Sequence, residues 1–268
     1  MSTVVFLGGG RITSAMLAGF RLGKTKHQLV VHDRNLGKLR DLKKDFAVEI
    51  EPDLSRAVAR ADLLLIAVRP KSVHELLSDI ERMNRASHKP ATLAVSLAAG
   101  VPLRLLSRMT GPLVQWARAM PSPVCRSGCG LTALTFSRML PPANRKLVHD
   151  LFASFGQVVE ISESKFDAFT VTYSCSHGYH ALATLARAAR EAGLDRKTAL
   201  LASAHALADG IIAWREGKHS LQTLLKEAVT PGGIAAATAT AMDAAGYERA
   251  VRKGVAAGLR RAQANAGK

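Results

Sequence analysis

Apolar positions along this chain fall into two regimes. In the first, short apolar runs alternate with amphipathic stretches. Thr3–Leu7, Leu29–Asn35, Asp62–Val68, Ala91–Ser96, Leu113–Arg118, Gly128–Phe136 and Gln157–Ile161 read as strands. Between them, helical spacing marks Arg11–Phe20, Leu36–Phe46, a short helix closing over Ala57–Ala61, Val73–Met83, Pro102–Met109 and Asn144–Phe155. The unbroken apolar run at Asp62–Val68 fits a strand covered on both faces of a parallel sheet. Alternating strands and helices predict a right-handed, doubly wound sheet, with Met120-Pro121-Ser122-Pro123 breaking the pattern. The second regime starts at Glu163. It has no strand-like run and many alanines, and its periodicity predicts helices over 164–192, 196–216, 219–228, 232–244 and 247–266. Gly193, Gly217 and Gly246 are the expected stops. The fold class expected is therefore α/β followed by all-α, with a nucleotide-binding domain at 1–162 and a helical domain at 163–268.

The first strand runs directly into Gly8-Gly9-Gly10 and then a helix opening with Arg11 and Ile12. A strand, a glycine turn and a helix start together present backbone N–H groups to a pyrophosphate. Gly8 would make the tight turn and Gly10 the close approach, while an ordinary glycine-rich turn is the plainer reading. Thr13 occupies the third small position, so Ala15 and Gly19 are expected to keep the helix near the sheet. The next strand ends in Asp33 and Arg34, about 20 residues further on. Asp33 suits the 2′-hydroxyl of NAD and Arg34 the 2′-phosphate of NADP. The basic composition tips the choice to NADP, with NAD as the alternative.

Charge adds one question. The 268 residues carry 37 Lys and Arg against 21 Asp and Glu, a net +16. Nucleic acid would be one partner for such a surface, but the basic residues are spread along the chain without aromatic interleaving. An anionic cofactor and substrate account for the charge without a specific nucleic acid. Cys125, Cys129 and Cys175 are too few for a disulfide framework, and no metal-ligand spacing is visible. With no leader and no apolar run of spanning length, a soluble cytoplasmic protein is expected, not a membrane one. The alanine- and leucine-rich helices offer more apolar surface than a lone bundle needs. That favours a homodimer or higher homo-oligomer through the helical domain over a self-contained bundle.

Several segments, in order, resemble the pyrroline-5-carboxylate reductase family. Gly8-Gly9-Gly10 with Ala15-Met16 is similar to its cofactor loop. Ala67-Val68-Arg69-Pro70-Lys71 resembles Ala-Val-Lys-Pro-Gln, and Ser96-Leu97-Ala98-Ala99-Gly100 resembles Ser-Ile-Ala-Ala-Gly. Arg118-Ala119-Met120-Pro121 and Gly128-Cys129-Gly130-Leu131-Thr132 follow Arg-x-Met-Pro-Asn and Gly-x-Gly-x-Thr. Asp167-Ala168-Phe169-Thr170 and Val229-Thr230-Pro231-Gly232-Gly233 match two later segments. The resemblance implies a Rossmann domain, a helical dimerisation domain, and hydride transfer from NAD(P)H to a cyclic imine as small-molecule substrate. It also implies a carboxylate clamp at Thr230, Gly232 and Gly233, and a protonation or substrate-contact role for Thr170. The plainer reading of Thr170 is a hydroxyl bonded to its own helix.

The departures cluster where substrate is expected. Ser122 replaces the Asn after Met-Pro, Ser174-Cys175-Ser176-His177-Gly178 replaces Gly-Ser-Gly-Pro-Ala, and Gly233-Ile234-Ala235 loses two threonine hydroxyls. Tyr173, Ser176 and His177 are the expected substitutes, His177 as a proton donor near neutral pH or as a structural histidine. The parent reaction, reduction of another imine or keto acid, and a silent dinucleotide-binding protein all stay open at this point.

Overall fold

The computed structural model describes residues 1–87 and 92–266, without the side chains of 84–87. It packs as two compact units. One comprises Met1–Tyr173 together with Gly258–Lys268, the other Ser174–Ala257.

The first unit is built on an eight-stranded sheet. Its strands are β1 (Thr3–Leu7), β2 (Gln28–His32), β3 (Glu49–Ile50), β4 (Leu63–Ile66), β5 (Thr92–Ser96), β6 (Val114–Met120), β7 (Leu131–Phe136) and β8 (Gln157–Glu160). They lie side by side in the order β3-β2-β1-β4-β5-β6-β7-β8. The helices between them are α1 (Arg11–Leu22), α2 (Leu36–Phe46), α3 (Leu54–Arg60), α4 (Val73–Ser87), α5 (Leu103–Thr110) and α6 (Pro142–Ala153). Alternation along β1 sends Val4 and Phe6 to one face, against Met16 and Phe20 of α1. Val5 and Leu7 go to the other, against Leu77 and Ile80 of α4 and Leu106 of α5. This is the doubly wound sheet that the alternating pattern predicts.

Four features depart from the sequence reading. β3 is too short to stand out as an apolar run, and its partner β2 supplies the register. β7 pairs antiparallel with β6, while β8 is parallel to β7. The turn between β6 and β7 is too short for a crossover helix, so the chain must reverse. β7 begins at Leu131, not at Gly128, because Gly128 and Gly130 adopt positive φ within that turn. Ala91, expected to open β5, lies outside the described residues. Gly19 does not face the sheet: a Cβ there would meet the Cys125 carbonyl at 2.7 Å, so it lets the 3-10 turn Pro123–Ser127 close on α1.

The helical stretch 164–192 is two helices, α7 (Glu163–Thr172) and α8 (Cys175–Glu191). The break has a local cause. Tyr173 leaves helical geometry, and the Ser174 side chain accepts the Ser176 N–H to start α8. α9 (Arg196–Glu216), α10 (Leu221–Ala228), α11 (Ile234–Ala244) and α12 (Tyr247–Ala266) follow. Strands end before residue 162, as read from the sequence, but packing carries the first unit through α7. Phe166 of α7 is fully buried, and Arg118 of β6 pairs with Glu163 at 2.8 Å and Asp167 at 3.4 Å. Among the described residues, no helix is long and apolar enough to cross a membrane.

Candidate active site

β1, β4, β5 and β6 run parallel, so their carboxyl ends meet along one edge of the sheet. Gly8–Gly10, Ala67–Pro70, Ala98–Gly100 and Met120–Ser122 follow those four ends. Such an edge is where open α/β sheets take ligands, at the point where strand order reverses. Here that point is β1, flanked by β2 on one side and β4 on the other.

The glycine loop is built for close approach. Gly8 has φ +118°, and a Cβ on it would stand 2.7 Å from the Ala67 carbonyl oxygen. Its N–H donates to the His32 carbonyl at 2.8 Å, continuing the β1–β2 ladder. Gly10 differs: a Cβ there would meet nothing within 4 Å. The protein's own packing does not require glycine at that place, so the open space is available to a ligand. Gly10 also caps α1 without a side chain, leaving the orphan N–H groups of the first turn unmet by a side-chain cap. Arg11, exposed at the first helical position, puts a cation at the positive end of a helix dipole. Both features fit an anion bound over the loop, and half-buried Ile12 anchors the turn against the core.

Thr13, the misfit of the glycine fingerprint, has a local role. It is fully buried, and its hydroxyl donates to the Gly8 carbonyl at 2.5 Å. The loop is therefore tied to its own helix by a side chain where the usual fingerprint has none. Asp33 braces the same loop from the end of β2. One carboxylate oxygen accepts the Gly9 N–H at 2.8 Å and the other the Asn35 N–H at 2.8 Å. Arg34 is exposed and pairs with Glu75 at 3.0 Å, while the Lys38 ammonium stands 3.8 Å from Asp33. Asn35, not singled out in the sequence, caps α2 by accepting the Lys38 N–H at 3.1 Å. Arg69 is exposed and Pro70 opens a 3-10 turn beside it. Ala98, Gly100, Pro121 and Ser122 are buried, Ala99 and Met120 half-buried.

α7 brings Thr170 and Tyr173 into the same unit. The Thr170 hydroxyl donates to the Phe166 carbonyl at 2.8 Å, the plainer of its two expected states. Tyr173 Oη accepts the Leu131 N–H at 2.6 Å and its ring packs on Phe169 at 5.2 Å. Tyr173 therefore fastens the end of α7 to the start of β7. α7 is held at its other end by Arg118, whose guanidinium also lies 4.2 Å over the Phe166 ring. An arginine inside the apolar run of β6 was the available signal for such a buried pair.

Ser176, His177, Thr230, Gly232 and Gly233 belong to the second unit. Ser176 shares a hydroxyl hydrogen bond of 2.7 Å with Ser174, and the His177 N–H donates to the Ser174 carbonyl. Thr230 and Gly232 are exposed in the turn before α11, and the Gly233 N–H donates to the Thr230 carbonyl at 2.9 Å. Gly233 caps α11 without a side chain, and Ile234 after it is 89% exposed. Burial pushes the Cys125 thiol up to about 11, which makes it an inert packing group.

The chain is similar to known proteins along its length. Residues 3–100 match the family model described as NADP oxidoreductase coenzyme F420-dependent, and residues 163–265 match pyrroline-5-carboxylate reductase dimerisation. The pyrroline-5-carboxylate reductase of Synechocystis is 29% identical over 263 residues, covering 96% of each chain. That of Mycobacterium tuberculosis is 27% identical over 285 residues, 98% of this chain and 96% of the relative. Among solved structures, the NADP-bound Plasmodium falciparum pyrroline carboxylate reductase has a TM-score of 0.87 at 21% identity, covering 99% of this chain and 98% of its own. The Streptococcus pyogenes 1-pyrroline-5-carboxylate reductase gives 0.87 at 22%, covering 98% of each. These two establish a shared fold. The relatives along its whole length and the dimerisation match in its helices make the chain similar to pyrroline-5-carboxylate reductases from end to end.

Proposed function

We propose that this protein reduces 1-pyrroline-5-carboxylate to proline, with NADPH as the reductant. The observation that carries the reading is whole-length similarity to reductases of that name, at 96% coverage on both sides. A bound nicotinamide cofactor supplies the hydride. The chain's share of the work is holding, orienting and protonating. Gly8–Gly10 and the first turn of α1 take the pyrophosphate. Arg34, just past the end of β2, and Lys38, in the first turn of α2 and 3.8 Å from Asp33, take a 2′-phosphate where the ribose 2′ position falls. Asp33 has committed both carboxylate oxygens to backbone N–H groups, so it opposes that phosphate less than a free acid would. The loops at Ala67–Pro70, Ala98–Gly100 and Met120–Ser122 are left to the nicotinamide half.

Within the helical unit, Thr230, Gly232 and Gly233 at the start of α11 are the proposed clamp for the substrate carboxylate, with Ser176 as a further polar contact; Ser122 is the polar contact proposed for the sheet unit. For the proton on the imine nitrogen, Thr170 and Tyr173 differ in their hydrogen bonding. Thr170 spends its proton on its own helix, whereas Tyr173 accepts through oxygen and keeps its proton to donate. His177 is the third candidate. The second unit is proposed to self-associate, since its large apolar side chains otherwise face water.

The test is oxidation of NADPH and of NADH with saturating 1-pyrroline-5-carboxylate, beside a titration of cofactor binding. Turnover with NADPH preferred supports the reading. Tight cofactor binding without turnover rejects this substrate and directs the search to other cyclic imines and keto acids.

A further inference from the structure

The Ala98–Gly100 loop is weakly held by its own hydrogen bonds. The Val101 N–H reaches the Ala98 carbonyl at 3.5 Å and the Ala98 N–H reaches Ser96 Oγ at 3.3 Å. A shorter bond comes from far along the sequence: Asn265 Nδ2, near the end of α12, donates to the Ala99 carbonyl at 3.1 Å. Gly100, at φ +75°, lies so near α12 that a Cβ on it would overlap the Ala262 carbonyl. Ala262 is buried at this contact. One turn earlier, a Cβ on Gly258 would stand 2.7 Å from a Val171 methyl, next to Thr170. The end of α12 thus packs against both the β5 loop and α7.

We infer that Asn265 is a positioning residue for hydride transfer, fixing through the Ala99 carbonyl the loop that carries the nicotinamide. The inference rests on the function proposed above. The ribose end of a dinucleotide belongs at β2, so its reactive half extends over β4 and β5, where this loop follows the strand. Cofactor affinity comes mainly from the phosphates at α1, whereas the hydride step depends on where the ring sits. Loss of the Asn265 bond should therefore alter the chemical step more than binding.

The experiment compares the full chain with Asn265→Ala, Asn265→Asp and Asn265→Gln. Asp keeps the size but loses the donor; Gln keeps the donor. For Ala and Asp, kcat is expected to fall about 10-fold, with NADPH Kd within about twofold. The primary isotope effect with NADPH deuterated at the transferred position should rise, and Gln should recover part of the rate. A kcat within about twofold of wild type with an unchanged isotope effect overturns the inference. So does parallel loss of thermal stability and affinity with that isotope effect unchanged. If wild type binds NADPH but does not reduce 1-pyrroline-5-carboxylate, the proposed reaction fails and hydrogen exchange decides the positioning role. Faster exchange of amides 97–101 in NADPH-bound Asn265→Ala supports it, and unchanged exchange overturns it.

Discussion

The two units solve the burial problem in opposite ways. In the sheet unit, β1 alone buries Val4, Val5, Phe6 and Leu7 completely, and helices cover both faces. In the helical unit, only Ala199 and Ser203 are buried among the described residues. Leu200, Leu201, Ile211, Ile212 and Trp214 of α9 are all 45% exposed or more. A helix apolar around its circumference is stable when surrounded, not when solvated. The sheet unit is complete as a single chain, whereas the helical unit has the surface of a half-finished core. That contrast agrees with the dimerisation family that its residues match.

Charging the open face should break the contrast most severely. Ile212→Glu places a carboxylate in the proposed contact between copies, and self-association should weaken by about 100-fold or more, read by light scattering across concentration. The sheet unit should keep its cofactor affinity in that variant. An unchanged oligomer would show that α9 is not the buried surface.

Next comes the ion pair that joins α7 to the sheet. Arg118→Met leaves Glu163 and Asp167 without their shared cation, and should cost about 3 kcal/mol in denaturant unfolding. A smaller cost is expected at Thr13→Ala, which removes the hydroxyl bond to Gly8: about 1 kcal/mol, with weaker cofactor binding. Gly10→Ala sharpens the difference between fold and function. Its backbone is extended and its surroundings open, so stability should shift by less than about 0.5 kcal/mol. Cofactor Kd should rise about tenfold or more, measured by fluorescence titration.

The smallest effect concerns pH in the helical unit. Asp195 caps α9 by accepting the Lys197 and Thr198 N–H groups; the Thr198 side chain's hydrogen bond first, and then these backbone bonds, hold its carboxyl below the usual carboxylate range. Its stabilisation is present above the unfolded carboxylate value and lost as pH falls through the lowered folded one. Asp195→Ala should therefore melt slightly below wild type near neutrality, the two curves converging in acid.

Much of this was legible in the sequence. Period-two and period-3.6 patterns located nearly every element, with α2, α9 and α12 at the expected limits. The strand, glycine turn and helix start at β1 and α1 were legible, because they lie within a few residues of one another. The break after α7 was not legible, because helical spacing runs on through it, and the bond from Leu131 across the fold to Tyr173 was equally hidden. Thr13 read as a departure from pattern and is instead a tie within the loop. Its partner is the backbone of Gly8, which no fingerprint of side chains reveals.

By itself, then, the sequence determined the alternation of strands and helices, the glycine turn between β1 and α1, and an apolar excess in the helices that calls for a partner surface. These follow from spacing and composition, which act over a few residues. Tertiary structure alone decided that Asp33 spends both oxygens on the glycine loop and Asn35. It also decided that Arg118 anchors α7 and that Asn265 reaches Ala99 across 166 positions. Such choices depend on which polar groups packing leaves beside one another, and a buried polar group is stable only where a partner meets it.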